Sequence, residues 1–245
     1  MLDLKGKIAL ITGASRGIGA AVAQLLAERG ADIIINYRSK AHRAEEIAAN
    51  VMATGQRAVL AQADITNEEE VGKMMQNIAT NLTKLDLLVL NASGGMEKDK
   101  STDYAMDLNL KAQERLADLA VLLMKDGGRI VFVTSHLAHF YGQKPVSAIY
   151  ENVAASKYAG EQSLRDRIPK FTEKGIRLVV VSGDLIEGTI TPKLMERANR
   201  GFINERREQA GTLPTVADFA TAIADACANK SLRSGETIFV GSTEW

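Results

Sequence analysis

The chain has 245 residues, 46% hydrophobic and 24% charged, an ordinary globular balance with ample apolar material for a core. Its 30 basic and 30 acidic residues cancel, so no global field favours nucleic acid or an anionic membrane surface. Three histidines (His42, His136, His139) and a lone cysteine, Cys227, exclude a zinc cluster and a disulfide framework.

The N-terminus, Met1-Leu2-Asp3-Leu4-Lys5-Gly6-Lys7, carries charges where a signal peptide needs an apolar run. No stretch nears the ~18 apolar residues of a membrane span, so a cytoplasmic protein is expected. Beyond it, short β-branched runs alternate with longer amphipathic stretches, the pattern of repeated strand-helix units. Ile8 to Thr12 reads as the first strand and Ile18 to Arg29 as the first helix, ended by Gly30. A second strand follows at Asp32 to Asn36, a helix from about Lys40 to Ala53, and a third strand at Arg57 to Ala61. Asn67 caps the next helix, with Glu68, Glu69 and Glu70 complementing its dipole.

Leu85 to Leu90 is the fourth strand, apolar enough for a sheet covered on both faces. A long helix is expected from about Asp103 to Met124, then a fifth strand from Arg129 to Thr134. Another helix starts near Ser147 and carries Lys157, and Ile176 to Val181 forms the sixth strand. Thr191 to Ala210 reads as a helical insertion, Pro214 to Ala228 as the last helix, with Cys227 a small buried residue within it. Thr237 to Val240 is the seventh strand. With no repeat, low-complexity tract or linker, residues 1–245 are expected to form one α/β domain, with an insertion at about 184–213. Its architecture is a Rossmann-like, doubly wound parallel sheet of about seven strands with helices on both faces.

The first strand runs into Thr12-Gly13-Ala14-Ser15-Arg16-Gly17-Ile18-Gly19 and then a helix. Glycines there permit a tight turn and close backbone approach, so that free amides at a helix N-terminus face a pyrophosphate. The strand-turn-helix context separates this from an ordinary glycine-rich turn. The spacing Gly-x-x-x-Gly-x-Gly resembles the short-chain dehydrogenase/reductase family, and the resemblance extends over nearly the whole chain. Asp64 and Ile65, closing the third strand, match the family's adenine contact. Asn91-Ala92-Ser93-Gly94 is similar to the family's Asn-Ala-Gly, with Ser93 and Leu90 as departures. The resemblance implies active-site roles for Asn109, Ser135 and Lys157, and a cofactor contact at Gly183.

The second strand ends Asn36-Tyr37-Arg38-Ser39 without the carboxylate that would bind the ribose hydroxyls of NAD. Arg38, next to Ser39, offers a 2′-phosphate a planar fork of donors, and Arg16 adds a second basic group. NADP(H) is therefore expected in preference to NAD(H).

Hydride transfer to a carbonyl leaves negative charge on oxygen, which needs hydrogen-bond donors and a proton. In the family a tyrosine four residues before the lysine gives that proton; here the position is Val153. Tyr150 stands seven residues before Lys157, on the same helical face but ~10 Å along the axis rather than ~6 Å. If Ser147 caps this helix, Tyr150 lies in its first turn. The segment after Ser135 is also longer than the family's, so the expected donor is Tyr150, relocated. Tyr141, His136 and His139 are the other candidates, while Tyr158 reads as structural. The alternative is an NADP-binding regulatory protein without turnover.

The sixth strand continues into Ser182-Gly183-Asp184-Leu185-Ile186-Glu187, whose carboxylates read as solvated loop charges or as recognition of a polar or cationic substrate. Thr189 and Thr191 are the candidates to meet a carboxamide, although neither falls at the family's spacing. Lys193, Arg197, Arg200, Arg206 and Arg207, interleaved with Glu196, Glu205 and Glu208, suggest a mobile, solvent-facing lid rather than a nucleic-acid surface. The expected partners are a small carbonyl or alcohol substrate and, as the resemblance implies, further copies of the chain in a homodimer or homotetramer.

Overall fold

The structure, a computed structural model, describes residues 3–97, 100–101 and 103–244. Its described residues build a seven-stranded sheet in the order β3-β2-β1-β4-β5-β6-β7, with every pairing parallel. The strands are β1 (Ile8–Ile11), β2 (Asp32–Tyr37), β3 (Ala58–Gln62), β4 (Leu85–Leu90), β5 (Met124–Ser135), β6 (Arg177–Gly183) and β7 (Glu236–Val240). The expected strands all form, with ends displaced by a few residues where hydrogen bonding frays.

Period-two alternation splits each strand between two cores. Ile11, Ile35, Val89, Val133 and Val181 face a cluster closed by α1 (Gly17–Glu28), α2 (Ala41–Ala53) and α11 (Val216–Ala228). Leu10, Ile34, Leu90, Phe132 and Val180 face the opposite cluster under α3 (Glu68–Leu82), α5 (Ala112–Leu123) and α8 (Ile168–Glu173). Two-sided burial explains why these strands read as continuous apolar runs. Asn67 caps α3 by accepting from the Glu69 and Glu70 amides, and Cys227 is buried, its thiol pushed up to about 12 by desolvation.

Three helical expectations need correction. The long helix runs from Tyr104 to Leu123 but contains a π-helical turn at Asp107–Lys111 between α4 (Tyr104–Met106) and α5, while Met124 opens β5. The turn accommodates α7 (Glu151–Asp166), because the Asn109 carbonyl occupies the space a Gly160 Cβ would need. Second, α7 begins at Glu151, not near Ser147; Tyr150 is its N-cap residue, and its amide closes a turn on the Ser147 carbonyl at 2.8 Å. Third, the insertion is two helices, α9 (Ile190–Ala198) and α10 (Phe202–Ala210), parted at Gly201, whose φ of +93° ends any continuous helix. A short helix, α6 (His136–His139), follows β5 directly. No helix among the described residues is long and apolar enough to cross a membrane.

Strand order reverses between β2-β1 and β4-β5, which opens a crevice past the carboxyl ends of β1 and β4. A third apolar cluster, including Leu137, Tyr150, Val153, Leu185 and Met195, lies beyond the ends of β5 and β6. The cleft runs between these two places.

Candidate active site

The cleft has a volume of about 940 Å³ and is lined from the glycine turn at one end to α9 at the other. Its nucleotide end is fixed by backbone geometry. Thr12 Oγ1 accepts from the amides of Asn91 and Ala92, both at 2.9 Å, and Asn91 Nδ2 donates to the Thr12 carbonyl at 2.9 Å. These bonds lock the ends of β1 and β4 together. A Cβ on Gly19 would lie 2.6 Å from the Gly13 carbonyl oxygen and 2.7 Å from Asn91 Nδ2, so only glycine fits.

Gly13, Ser15, Arg16, Gly17, Ile18 and Gly19 all line the cleft, and α1 begins there with no side chain capping its amides. Uncapped amides at a helix N-terminus attract an anion. Arg38, Ser39, Asp64, Ile65, Asn91 and Ala92 line the adjoining wall, with Lys40 and Arg43 beyond them. Arg38 Nη1 donates to Tyr104 Oη at 2.9 Å and lies 3.8 Å from Asp64 Oδ2, leaving much of its fork toward solvent. Tyr104 has its hydroxyl pKa raised, chiefly by burial. Asn36 is buried: its Oδ1 accepts from the Gly13 amide at 3.3 Å, and its Nδ2 donates to the Ala61 and Ala63 carbonyls. The uncapped amides beside several cations, with no carboxylate closing β2, fit a dinucleotide pyrophosphate carrying an extra phosphate on its ribose.

At the other end, β5 delivers Ser135 beside Gly183, its register partner on β6. Ser135 Oγ lies 3.1 Å from Tyr150 Oη, and both line the cleft. The turn before α7 swings the Tyr150 ring inward, leaving it 5% exposed. That burial raises its pKa, opposed by the Ser135 hydrogen bond. Lys157, 7% exposed, also lines the cleft and donates to Ser93 Oγ at 3.4 Å. Burial lowers its pKa to about 8, with Glu161 acting in the opposite sense. Val153 lines the same cleft.

Other expected residues stand elsewhere. Asn109 is buried behind the wall, its Nδ2 donating to the Gly94 carbonyl at 2.9 Å and to Ser156 Oγ at 3.0 Å. The three alternative donors are turned away from the cleft into bonds of their own. Tyr141 donates to Glu151 at 2.6 Å, His136 Nδ1 pairs with Ser182 Oγ at 2.8 Å, and His139 pairs with Glu161 at 2.8 Å. Desolvation drops the His136 pKa to about 4, so it is neutral near pH 7.

Asp184 is not a solvated loop charge, because it is buried in a pair with Arg206 at 2.8 Å, whereas Glu187 stays partly exposed beside Arg207 at 2.7 Å. Arg206 is correspondingly buried rather than solvent-facing. Thr189 and Thr191 line the cleft with Leu185, Leu194 and Met195. Sequence reasoning missed Thr12 and Asn36; a lone asparagine in the apolar run Ile33–Tyr37 was the available signal. Ser93 stood out only as a departure, and no spacing rule pairs it with Lys157.

The family model described as short chain dehydrogenase matches residues 7–199. Hydroxynaphthalene reductase-like protein Arp2 of Metarhizium brunneum is 39% identical over 165 residues, 65% of this chain and 60% of that protein. The match thus spans less than two thirds of the relative's length. A short chain dehydrogenase from Burkholderia cenocepacia J2315 in complex with NADP superposes with a TM-score of 0.84 at 29% identity, covering 97% of each chain. An angucycline C-6 ketoreductase with bound NADP gives 0.81 at 28% identity, covering 98% of this chain and 96% of its own.

Proposed function

The chain belongs to the short-chain dehydrogenase/reductase family, and on that premise we propose that it reduces a bulky ketone with NADPH, using Tyr150 as proton donor. The observation that carries this reading is the 3.1 Å contact of Tyr150 Oη with Ser135 Oγ on the cleft wall. It re-creates, from a different position in the chain, the hydroxyl pair that the chemistry requires.

The uncapped start of α1 would hold the pyrophosphate, and Arg38 and Arg16 would hold the 2′-phosphate. When bound, the reduced nicotinamide supplies the hydride. Ser135 Oγ donates a hydrogen bond to the carbonyl oxygen as negative charge develops on it. Tyr150 then passes its proton to that oxygen, which is more basic as an alkoxide than the phenolate left behind. The raised Tyr150 pKa keeps the hydroxyl protonated until then. Lys157 lines the same cleft and, with a pKa of about 8, stays largely charged at neutral pH, a positive charge available to the bound cofactor and to negative charge developing in the cleft.

The substrate-facing wall of Met96, Leu137, Val153, Leu185, Leu194 and Met195 is apolar and favours a fused-ring ketone over a small polar one. Two relatives are named for ring systems of that kind, a hydroxynaphthalene reductase-like protein and an angucycline ketoreductase.

The test follows NADPH oxidation with α- and β-tetralone. Tyr150→Phe is expected to lower kcat by about 100-fold or more with NADPH affinity retained. Wild-type turnover in that variant removes Tyr150 from the donor role. Tight NADPH binding without turnover of any ketone by the wild type sinks the reductase reading.

A further inference from the structure

Helix α10 rests Phe202, Ile203 and Ala210 against the third apolar cluster, but the side chain it buries fully is a charged one, Arg206, 1% exposed. Enclosing a guanidinium is costly unless its donors are matched by acceptors. Here they are. Nε and Nη2 donate to the two carboxylate oxygens of Asp184 at 2.8 and 2.9 Å, a bidentate fork. Nη2 also donates to the Ser242 carbonyl at 2.9 Å, and Nη1 to the Glu244 carbonyl.

Asp184 follows Gly183 at the end of β6 and lines the cleft, while its amide donates to the Val240 carbonyl at 2.9 Å. Arg206 therefore ties α10 to the sheet end and to the segment after β7. The grip passes on to α9, because Glu196 accepts from the amides of Gly201 and Ile203 at 2.8 and 3.0 Å. Leu194 and Met195, on the same turn of α9, line the cleft. Arg207 adds an outer tie to Glu187, but that pair is half-exposed and contributes little.

We propose that Arg206 is a positioning residue for the substrate. Through Asp184 it fixes the wall of Leu185, Leu194 and Met195 opposite the Ser135–Tyr150 pair, and so sets how firmly a carbonyl compound is held. The nucleotide end, built on β1, β2 and β4, does not depend on it. The assignment of this wall to substrate rests on the reductase reading above.

The experiment measures KM and kcat for β-tetralone, and NADPH affinity, in Arg206→Met, Arg206→Lys and Asp184→Asn. Arg206→Met is expected to raise KM about tenfold, with kcat within about threefold and NADPH Kd within about twofold of wild type. Arg206→Lys keeps the charge but loses the fork, and falls between the two. Because the two residues act as one pair, the double variant Arg206→Met/Asp184→Asn is no worse than the more affected single variant. An unchanged KM overturns the proposal. So does a parallel loss of NADPH affinity, which marks a residue needed only for the fold. Should Arg206→Met not fold, Arg206→Lys carries the same comparison.

If the wild type reduces no ketone, the reductase reading fails while the tie can still be read by limited trypsin digestion with NADPH bound. Faster cleavage after Arg197 and Arg200 in the variant, at unchanged NADPH Kd, supports the tie. Equal cleavage refutes it.

Discussion

At the β1–β4 end of the cleft the binding surface is largely backbone, whereas at the β5–β6 end it is side chain, and the two ends constrain the sequence differently. Around the glycine turn the spacing of amides and the absence of Cβ atoms are the site; Gly19 has no substitute with Asn91 Nδ2 2.7 Å from its missing Cβ. Around Ser135 the requirement is a hydroxyl at a point in space. A tyrosine ring can bring one from any backbone position within reach, and Tyr150 does so from the turn before α7. On the proposed reading, a backbone-built site keeps its motif, while a side-chain-built site keeps its geometry after its motif has changed.

The strongest blow to the side-chain end is Ser135→Ala. Loss of one donor to a developing oxyanion costs about 10²–10³ in kcat. Combined with Tyr150→Phe, the losses fall short of multiplying, since the two hydroxyls act as a unit. Fully multiplicative losses in steady-state kinetics would mean that the 3.1 Å contact is incidental. Gly19→Ala makes the matching blow at the backbone end. The added carbon must displace Asn91 or Gly13, at a cost of about 1–3 kcal/mol. NADPH Kd, measured by fluorescence, is expected to rise by about tenfold for each ~1.4 kcal/mol lost from the bound state, with kcat preserved at saturating cofactor. A variant with wild-type NADPH affinity would break the contrast between the two ends.

Lys157 joins the ends, and its titration gives the next effect in size. It is charged below about 8, so kcat/KM is level there and falls as pH rises through that value, approaching tenfold per unit. The raised Tyr150 pKa keeps its hydroxyl protonated across the same window. Stability moves the other way. Between about 8 and the unfolded lysine value of ~10.4 the unfolded chain binds more protons, so this residue's contribution to unfolding free energy rises with pH. Activity that declines while the Lys157-dependent part of stability, taken against Lys157→Met, increases separates titration at the site from loss of fold; a fall in both refutes the assignment. Smaller again is Arg38→Ser, expected to narrow the preference for NADPH over NADH by about tenfold, the worth of one charge-assisted bond to phosphate. An unchanged ratio of kcat/KM values would transfer that role to Arg16, Lys40 or Arg43.

The sequence carried the fold and the nucleotide end in readable form because both rest on local rules. Strand alternation, the Asn67 cap and the glycine turn each follow from neighbouring residues. The reacting end depends on contacts distant in sequence. That Tyr150 meets Ser135 is set by a turn at residues 148–150, and that Asp184 is buried is set by an arginine 22 residues later. An exposed acidic loop and a clamped one have the same composition. Likewise, the π turn at Asp107–Lys111 accommodates the close approach of Gly160 on another helix, which no helical periodicity in that segment reveals.

Val153→Tyr gives the smallest effect on turnover and the sharpest reading of the comparison. It restores the four-residue spacing to Lys157, so a motif-based view expects a gain in activity. The packing argues otherwise. Val153 is 3% exposed, and its Cγ2 lies 3.2 Å from where a Gly95 Cβ would sit, with Ala105 closer still to that point. A ring forced into this space costs about 1–3 kcal/mol of stability, a fall of ~2–4 °C in Tm for each kcal/mol in a chain of this size. Turnover in the otherwise wild-type protein does not rise, because Tyr150 already holds the place beside Ser135. The decisive measurement is Val153→Tyr in a Tyr150→Phe background. Little or no recovery of kcat means that the turn before α7, rather than spacing to the lysine, locates the donor. Full recovery would mean that the reacting end accepts a hydroxyl from either position, and that the shift from residue 153 to 150 was neutral to the chemistry.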